Sequence, residues 1–298
     1  MEFMKKQLFS KAKDYLILLR LNSWLKNIFV FVPSVFSKHI LEAEYFFLVL
    51  LGFIAFSFAS STVYVFNDII DASKDAIHPL KKNRPLASGR INSGESIFIL
   101  SILFIITLLI TTQLKFNFSL IVWGYIVLNI FYSLYLKNLV IVDLMCISLG
   151  FILRVLSGAV IISVYLSNWL ILTTIFLSLF LAAMKRRVEI ANFPNAVDQR
   201  TVLRYYSLGI IDQITAIAAA GIIICYSLYS VADKTVSYFN SESLVYTTIF
   251  VIFGIFRYMY VVYHENKGEN VVEVLFSDRP MLINSIAYIL VTFYIIYL

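Results

Sequence analysis

The chain has 298 residues, of which 60% are hydrophobic and 14% charged, with a formal net charge of +6. A soluble domain carries about 25% charged residues, so this composition, with a mean hydropathy of +0.85, excludes a soluble enzyme on one anchor and implies a polytopic membrane protein. The bases form no continuous face or arm, which argues against nucleic acid as a partner, and Cys146 and Cys225, both in apolar segments, imply no disulfide framework or thiolate metal site.

Residues 1–21 mix Lys5, Lys6, Lys11, Lys13 and Arg20 with Leu8, Phe9, Ala12, Leu16 and Leu19. That pattern predicts an amphipathic helix lying on an anionic leaflet. The first residues are basic and lack a long apolar stretch, so no cleavable signal peptide is expected. A spanning helix needs roughly 20 mostly apolar residues. Nine segments meet that need, at about 24–38, 45–66, 95–113, 118–136, 139–162, 168–185, 205–230, 244–263 and 280–298. The first is short and carries Pro33. The expected fold is all-α: one integral-membrane domain over 1–298, a bundle of nine transmembrane helices. With the N-terminus in the cytoplasm, 20 of the 24 bases fall on the cytoplasmic side, as the positive-inside rule requires.

The second segment runs into Asn67-Asp68-Ile69-Ile70-Asp71-Ala72-Ser73-Lys74-Asp75. Asp68, Asp71 and Asp75 stand at i, i+3 and i+7, one face of a helix over two turns. Negative charge is disfavoured at a helix C-terminus, so three acids there point to a cation. Magnesium is usually held by one or two carboxylates plus substrate phosphates. The basic run Lys81, Lys82, Arg84 and Arg90 follows, with Pro79, Pro85 and Gly89 breaking helix. Lys81 and Lys82 fit ordinary positive-inside residues equally well. Proline and glycine beside Arg84 and Arg90 suggest a loop shaped to aim them.

Trp24, Lys26 and Asn27 open the first span. Membrane anchoring is the simpler reading of that pair of bulky and basic residues; the alternative is a cation and an amide reaching a phosphate. Tyr132, Ser133 and Lys137 surround the turn after span four, where a snorkelling lysine is the plain account. Asp143 and Arg154 are charges inside a span, which are costly and usually functional. They point the same way on one helix but lie roughly 16 Å apart by rise, so each needs a partner from elsewhere. Gly150 and Ser157 near that stripe would let another helix pack closely. Lys185, Arg186 and Glu189 close span six, as a stop-transfer cluster or a second phosphate-binding group. Asp212 and Gln213 are polar at membrane depth. Glu273, Asp278 and Arg279 fit the capping of the last span. His39, His78 and His264 are scattered, and no phosphate-binding glycine loop or dinucleotide fingerprint is present.

These motifs resemble the UbiA superfamily of intramembrane prenyltransferases, on N-D-x-x-D-x-x-x-D at Asn67 to Asp75, and the likeness runs over nearly the whole chain. Within it the match is closer to the decaprenyl-phosphate phosphoribosyltransferase branch. It rests on Trp24-Leu25-Lys26-Asn27, Lys82 to Gly89, Tyr132-Ser133 with Lys137 and Asp143, Gly150 to Arg154, Lys185-Arg186-x-x-Glu189, and Ser277-Asp278-Arg279-Pro280. The resemblance implies that Asp68, Asp71 and Asp75 are catalytic and hold Mg2+. It further implies that Lys26, Asn27, Asn67, Lys82, Arg84, Arg90, Tyr132, Lys137, Asp143, Arg154, Lys185, Arg186 and Glu189 bind substrate. The implied substrates are phosphoribosyl diphosphate and a polyprenyl phosphate, in the cell membrane with the active site facing the cytoplasm. A homo-oligomer is compatible with all of this. Ordinary members carry a second acidic motif after span six; here that loop opens with Lys185-Arg186-Arg187, and its nearest acids are Glu189 and Asp198. More cations and one metal motif suit two anionic substrates. Transfer of a prenyl group to an aromatic or other small acceptor is the alternative, and a transporter or lipid carrier is the non-enzyme alternative.

Overall fold

The computed structural model describes residues 2–77, 81–192, 201–265 and 271–298, with the backbone alone at 2–10, 192, 201 and 271–272. His78, Pro79, Asp198, Arg200 and Lys267, and the side chains of Lys5 and Lys6, lie outside what is described. Among the described residues there is no strand. The helices are α1 Glu2–Leu19, α2 Val32–Phe36, α3 Ala43–Ala76, α4 Ser93–Thr112, α5 Phe116–Leu134 and α6 Val142–Ile162. They continue with α7 Asn168–Asn192, α8 Leu208–Val231, α9 Asp233–Phe239, α10 Thr248–Glu265, α11 Val271–Ser277 and α12 Arg279–Tyr297.

Nine segments among the described residues are long and apolar enough to cross a membrane, as the hydropathy pattern predicts. The limits of the first differ: the expected 24–38 becomes Lys11–Phe36. This segment is not one helix. After α1, Arg20 turns left-handed at φ 52° and ψ 50°, and Leu21–Phe31 winds as an 11-residue 3-10 helix. Such runs rarely exceed three or four residues. α2 then starts with Pro33 in its first turn, where the missing N–H leaves no bond unmade.

The chain divides into two compact units: Met1–Lys137 with Leu153–Val164, and Asn138–Ile152 with Tyr165–Leu298. In the first, Val49, Phe56, Ala59 and Val63 of α3 pack with Phe118, Val122 and Ile126 of α5 and Ile161 of α6. Gly158 of α6 meets the 3-10 run so closely that a Cβ there would lie 2.0 Å from the carbonyl oxygen of Val30. The close approach is at Gly158, next to the expected Ser157. A second cluster joins Leu18 of α1 to Val65 of α3, Ile91, and Leu103 of α4. The Asn92 side chain accepts from the Glu95 N–H at 2.7 Å and starts α4 as a capping box.

In the second unit, Phe180, Met184 and Val188 of α7 pack with Ala218 and Ile222 of α8 and Tyr258 and Val262 of α10. Leu144 of α6 packs with Ala182, Val202, Leu203 and Ile211. Ser207 caps α8. Asp278 caps α12 by accepting from the Met281 N–H at 2.9 Å, in line with the capping role read from the sequence.

Candidate active site

α3 is 34 residues long, well beyond the roughly 20 a bilayer needs, and the excess carries the aspartates. Ser57, Ser60, Ser61, Tyr64, Asp68, Asp71 and Asp75 recur at spacings of three and four, so one polar stripe runs along the helix. Asp68 and Asp75 are 3% and 5% exposed. Buried carboxylates demand partners, and the unit supplies three cations.

Arg84 Nη1 donates to Asp68 Oδ1 at 3.0 Å and to Asp75 Oδ2 at 2.5 Å. One nitrogen thus bridges two acids seven residues apart, which requires that they share a face. Nε and Nη2 of Arg84 engage no other described residue. The loop that aims this side chain is closed by backbone bonds from Ser88 N to Arg84 O and from Ile91 N to Pro85 O. Gly89 at φ 75° turns the chain where a side chain would be strained. Lys137, from the turn after α5, places Nζ 2.8 Å from both carboxylate oxygens of Asp71. Arg20 ion-pairs with Asp68 Oδ1. Its guanidinium carbon lies 4.9 Å above the Tyr64 ring. The sequence placed Arg20 at the end of a leaflet-bound amphipathic helix; the left-handed turn at its own Cα directs the side chain to α3.

Carboxylate oxygens are the donors magnesium prefers. Asp68 Oδ2 and Asp75 Oδ1 accept no hydrogen bond from the described residues, so each keeps an oxygen for another ligand. Among the described residues no three His, Cys, Asp or Glu side chains gather into a closed metal site. The donor set fits an ion whose coordination is completed by substrate phosphates and water.

The remaining expected residues of this unit divide. Arg90 donates to Asp14 Oδ1 at 2.8 Å and to the carbonyl oxygen of Asn83 at 2.7 Å, tying α1 to the loop. Lys26 and Lys82 are exposed and make no hydrogen bond or ion pair with the described residues, and the Asn67 amide makes no hydrogen bond with them. Tyr132 is half-buried. Trp24 Nε1 donates to Ser61 Oγ at 3.0 Å, a tie to α3 that the sequence did not anticipate. Asn27 is fully buried, donates to Ser57 and accepts from Arg154 Nε at 2.7 Å. Arg154 also donates to Tyr125 Oη at 3.0 Å. Arg154 therefore braces α6 to the first span and α5.

In the second unit Asp143 is 0% and Arg186 1% exposed. Arg186 Nε donates to Asp143 Oδ2 at 2.9 Å and its Nη1 to Glu189 at 2.5 Å. Tyr206 Oη donates to Asp143 Oδ1 at 2.7 Å and accepts from the Ile141 N–H at 2.6 Å. Burial, then this bond to a carboxylate, raise the Tyr206 phenol above its ordinary pKa. Asp143 and Arg154 each find a partner off their own helix, as their separation required. Lys185, next to Arg186 in sequence, is exposed. Asp212, whose role the sequence left open, accepts from Arg187 at 2.8 Å and Tyr263 at 2.7 Å.

A stripe of acids held by Arg and Lys thus ends an overlong membrane helix. The model of the UbiA prenyltransferase family covers residues 31–286. The chain belongs to the UbiA prenyltransferase family. This UbiA chain is 29% identical over 216 residues to the decaprenyl-phosphate phosphoribosyltransferase of Mycolicibacterium smegmatis, covering 71% of this chain and 68% of that one. It is 28% identical over 241 residues to the protein of that name from Mycobacterium tuberculosis, with 80% and 78% covered. A UbiA homologue from Archaeoglobus fulgidus, solved with GPP and Mg2+, matches at a TM-score of 0.70 and 17% identity over 96% of this chain and 100% of that one. At that identity the likeness is one of fold.

Sequence reasoning missed Arg20, Ser61 and Tyr206 as parts of polar networks. The signal for Ser61 was present: Ser57, Ser61 and Tyr64 extend the aspartate periodicity backwards along α3. For Arg20 and Tyr206 no sequence signal existed, because their partners lie 48 and 63 residues away.

Proposed function

We propose that this UbiA-family transferase moves 5-phosphoribose from phosphoribosyl diphosphate to a polyprenyl phosphate and releases diphosphate. The observation that carries the reading is Arg84. One of its nitrogens holds two aspartates of the metal-type motif, while two others remain for phosphate oxygens. The names of the mycobacterial relatives support the same transferred group and acceptor. The segregation of bases supports a site facing the cytoplasm from the cell membrane.

Asp68, Asp71 and Asp75 would hold Mg2+, which when bound neutralises charge on the leaving diphosphate. Arg84 keeps its bridge and offers Nε and Nη2 to the donor phosphates, Lys137 turns to them from Asp71, and Lys26, which makes no hydrogen bond or ion pair with the described residues, adds a third cation. The bond from the anomeric carbon to diphosphate breaks, and diphosphate leaves with the electron pair. A phosphate oxygen of the lipid forms the new bond from the opposite face. That oxygen is already ionised, so no general base is required.

The test is purified protein with Mg2+, labelled phosphoribosyl diphosphate and polyprenyl phosphate, scored for labelled lipid. Labelled lipid is expected, with a loss of at least about 100-fold in Asp71→Asn, which removes charge from the metal ligand set. Product from a prenyl diphosphate and a small acceptor, with no labelled lipid, overturns the proposal in favour of prenyl transfer.

A further inference from the structure

Arg20 stands where no motif placed it. Its backbone is left-handed at φ 52°, a conformation that costs a non-glycine residue free energy and persists only when its surroundings enforce it. Three contacts do so. Ser61 Oγ donates to the carbonyl oxygen of Leu19 at 2.8 Å, just before the turn. Trp24 Nε1 donates to the same Ser61 Oγ at 3.0 Å, just after it. Ser23 N donates to the carbonyl oxygen of Arg20 at 2.7 Å, across it. Ser61 lies seven residues before Asp68, on the same face of α3. One residue of the acid stripe therefore clamps both sides of the turn that delivers Arg20 to another residue of that stripe. Only one guanidinium nitrogen, Nη2, meets Asp68; Nε and Nη1 make no hydrogen bond with the described residues.

The charge balance gives this placement its meaning. Asp68, Asp71 and Asp75 are matched by Arg20, Arg84 and Lys137, so the cluster is neutral. A dication entering a neutral cluster competes with the resident cations for the carboxylates. A diphosphate entering with it gives those cations new partners. Metal and diphosphate then bind with positive coupling, because each relieves the charge the other introduces.

We propose that Arg20 is a built-in counter-ion of Asp68 that competes with the divalent cation for the carboxylate and transfers to the diphosphate once both are bound. This rests on the functional reading above and adds to it a residue, a competition and an order of affinities. A residue with only a structural role would not give effects of opposite sign on metal and on diphosphate.

The experiment measures Mn2+ binding to the full-length protein by electron paramagnetic resonance, with and without inorganic diphosphate. In Arg20→Met, Mn2+ alone is expected to bind about tenfold more tightly, since a charge-assisted bond to the ligand carboxylate is gone. Diphosphate in the presence of Mn2+ is expected to bind about tenfold more weakly. Arg20→Lys keeps the charge and should fall between wild type and Arg20→Met in both measurements, which covers the case in which Arg20→Met does not fold. Lys11→Met removes a charge from α1, just before Arg20 in the chain, at a pair with Glu95 on the surface, and should change neither affinity more than twofold. Equal affinities in wild type and the Arg20 variants overturn this inference alone, as does a loss of both affinities together. Absence of Mn2+ binding to wild type overturns the functional reading and this inference with it.

Discussion

The Arg84→Lys substitution separates two roles that the geometry assigns to one side chain. Nη1 alone bridges Asp68 at 3.0 Å and Asp75 at 2.5 Å, and a lysine ammonium can take that one place. Nε and Nη2 are the donors left over, and lysine has no counterpart to them. A hydrogen bond from a charged donor contributes about 1.5–3 kcal/mol. Loss of one such bond to the donor phosphates therefore lowers kcat/KM for phosphoribosyl diphosphate by roughly 10- to 150-fold. The thermal midpoint of the purified protein should change little, because the bridge survives. Arg84→Met loses the bridge as well. Asp75, its side chain 7% exposed, is then left without its cation, at a further cost of about 3 kcal/mol in stability. The assay is steady-state transfer of labelled phosphoribose to lipid at varied donor concentration, beside thermal unfolding in detergent. A kcat/KM for Arg84→Lys within threefold of wild type would refute the argument that the free nitrogens grip the donor.

Asp143→Ala removes a carboxylate from fully buried Arg186 and the acceptor of the Tyr206 hydroxyl; stability should drop by about 3 kcal/mol, read as a lower unfolding midpoint. Gly158→Ala forces a Cβ to 2.0 Å from a backbone oxygen, which cannot swing aside as a side chain would. It should cost more than the usual 1–3 kcal/mol of overpacking and reduce the yield of monodisperse protein. The raised pKa of Tyr206 sets the sign of a pH effect. The folded chain holds this proton more tightly than the unfolded chain, so its stabilising contribution is complete below about pH 10 and is lost as pH rises further. The advantage of wild type over Tyr206→Phe in unfolding midpoint should therefore shrink between pH 10 and 11.

The family and the fold class were legible because both rest on local patterns. Apolar runs of spanning length fix the number of membrane segments, and carboxylates at i, i+3 and i+7 fix their own shared face whatever the rest of the chain does. The first span was misjudged in its limits because hydropathy counts residues and does not see helix type. The left-handed Arg20 and the 3-10 run are set by Ser61 and by packing against Gly158, neither of which is local. The same reason explains the charged residues. Asp143 and Arg154 could be flagged as costly, since a charge at membrane depth needs a partner. Which partner each takes depends on helices tens to more than a hundred residues away, such as Asn27 for Arg154. Sequence alone therefore determined that three acids share one helix face and that bases follow them. Only the tertiary structure decided that Arg84 bridges two of those acids through a single nitrogen, that Lys137 holds the third, and that Arg20 pairs with Asp68. A side chain's reach is set by local geometry, but its partner is set by what packing brings within that reach.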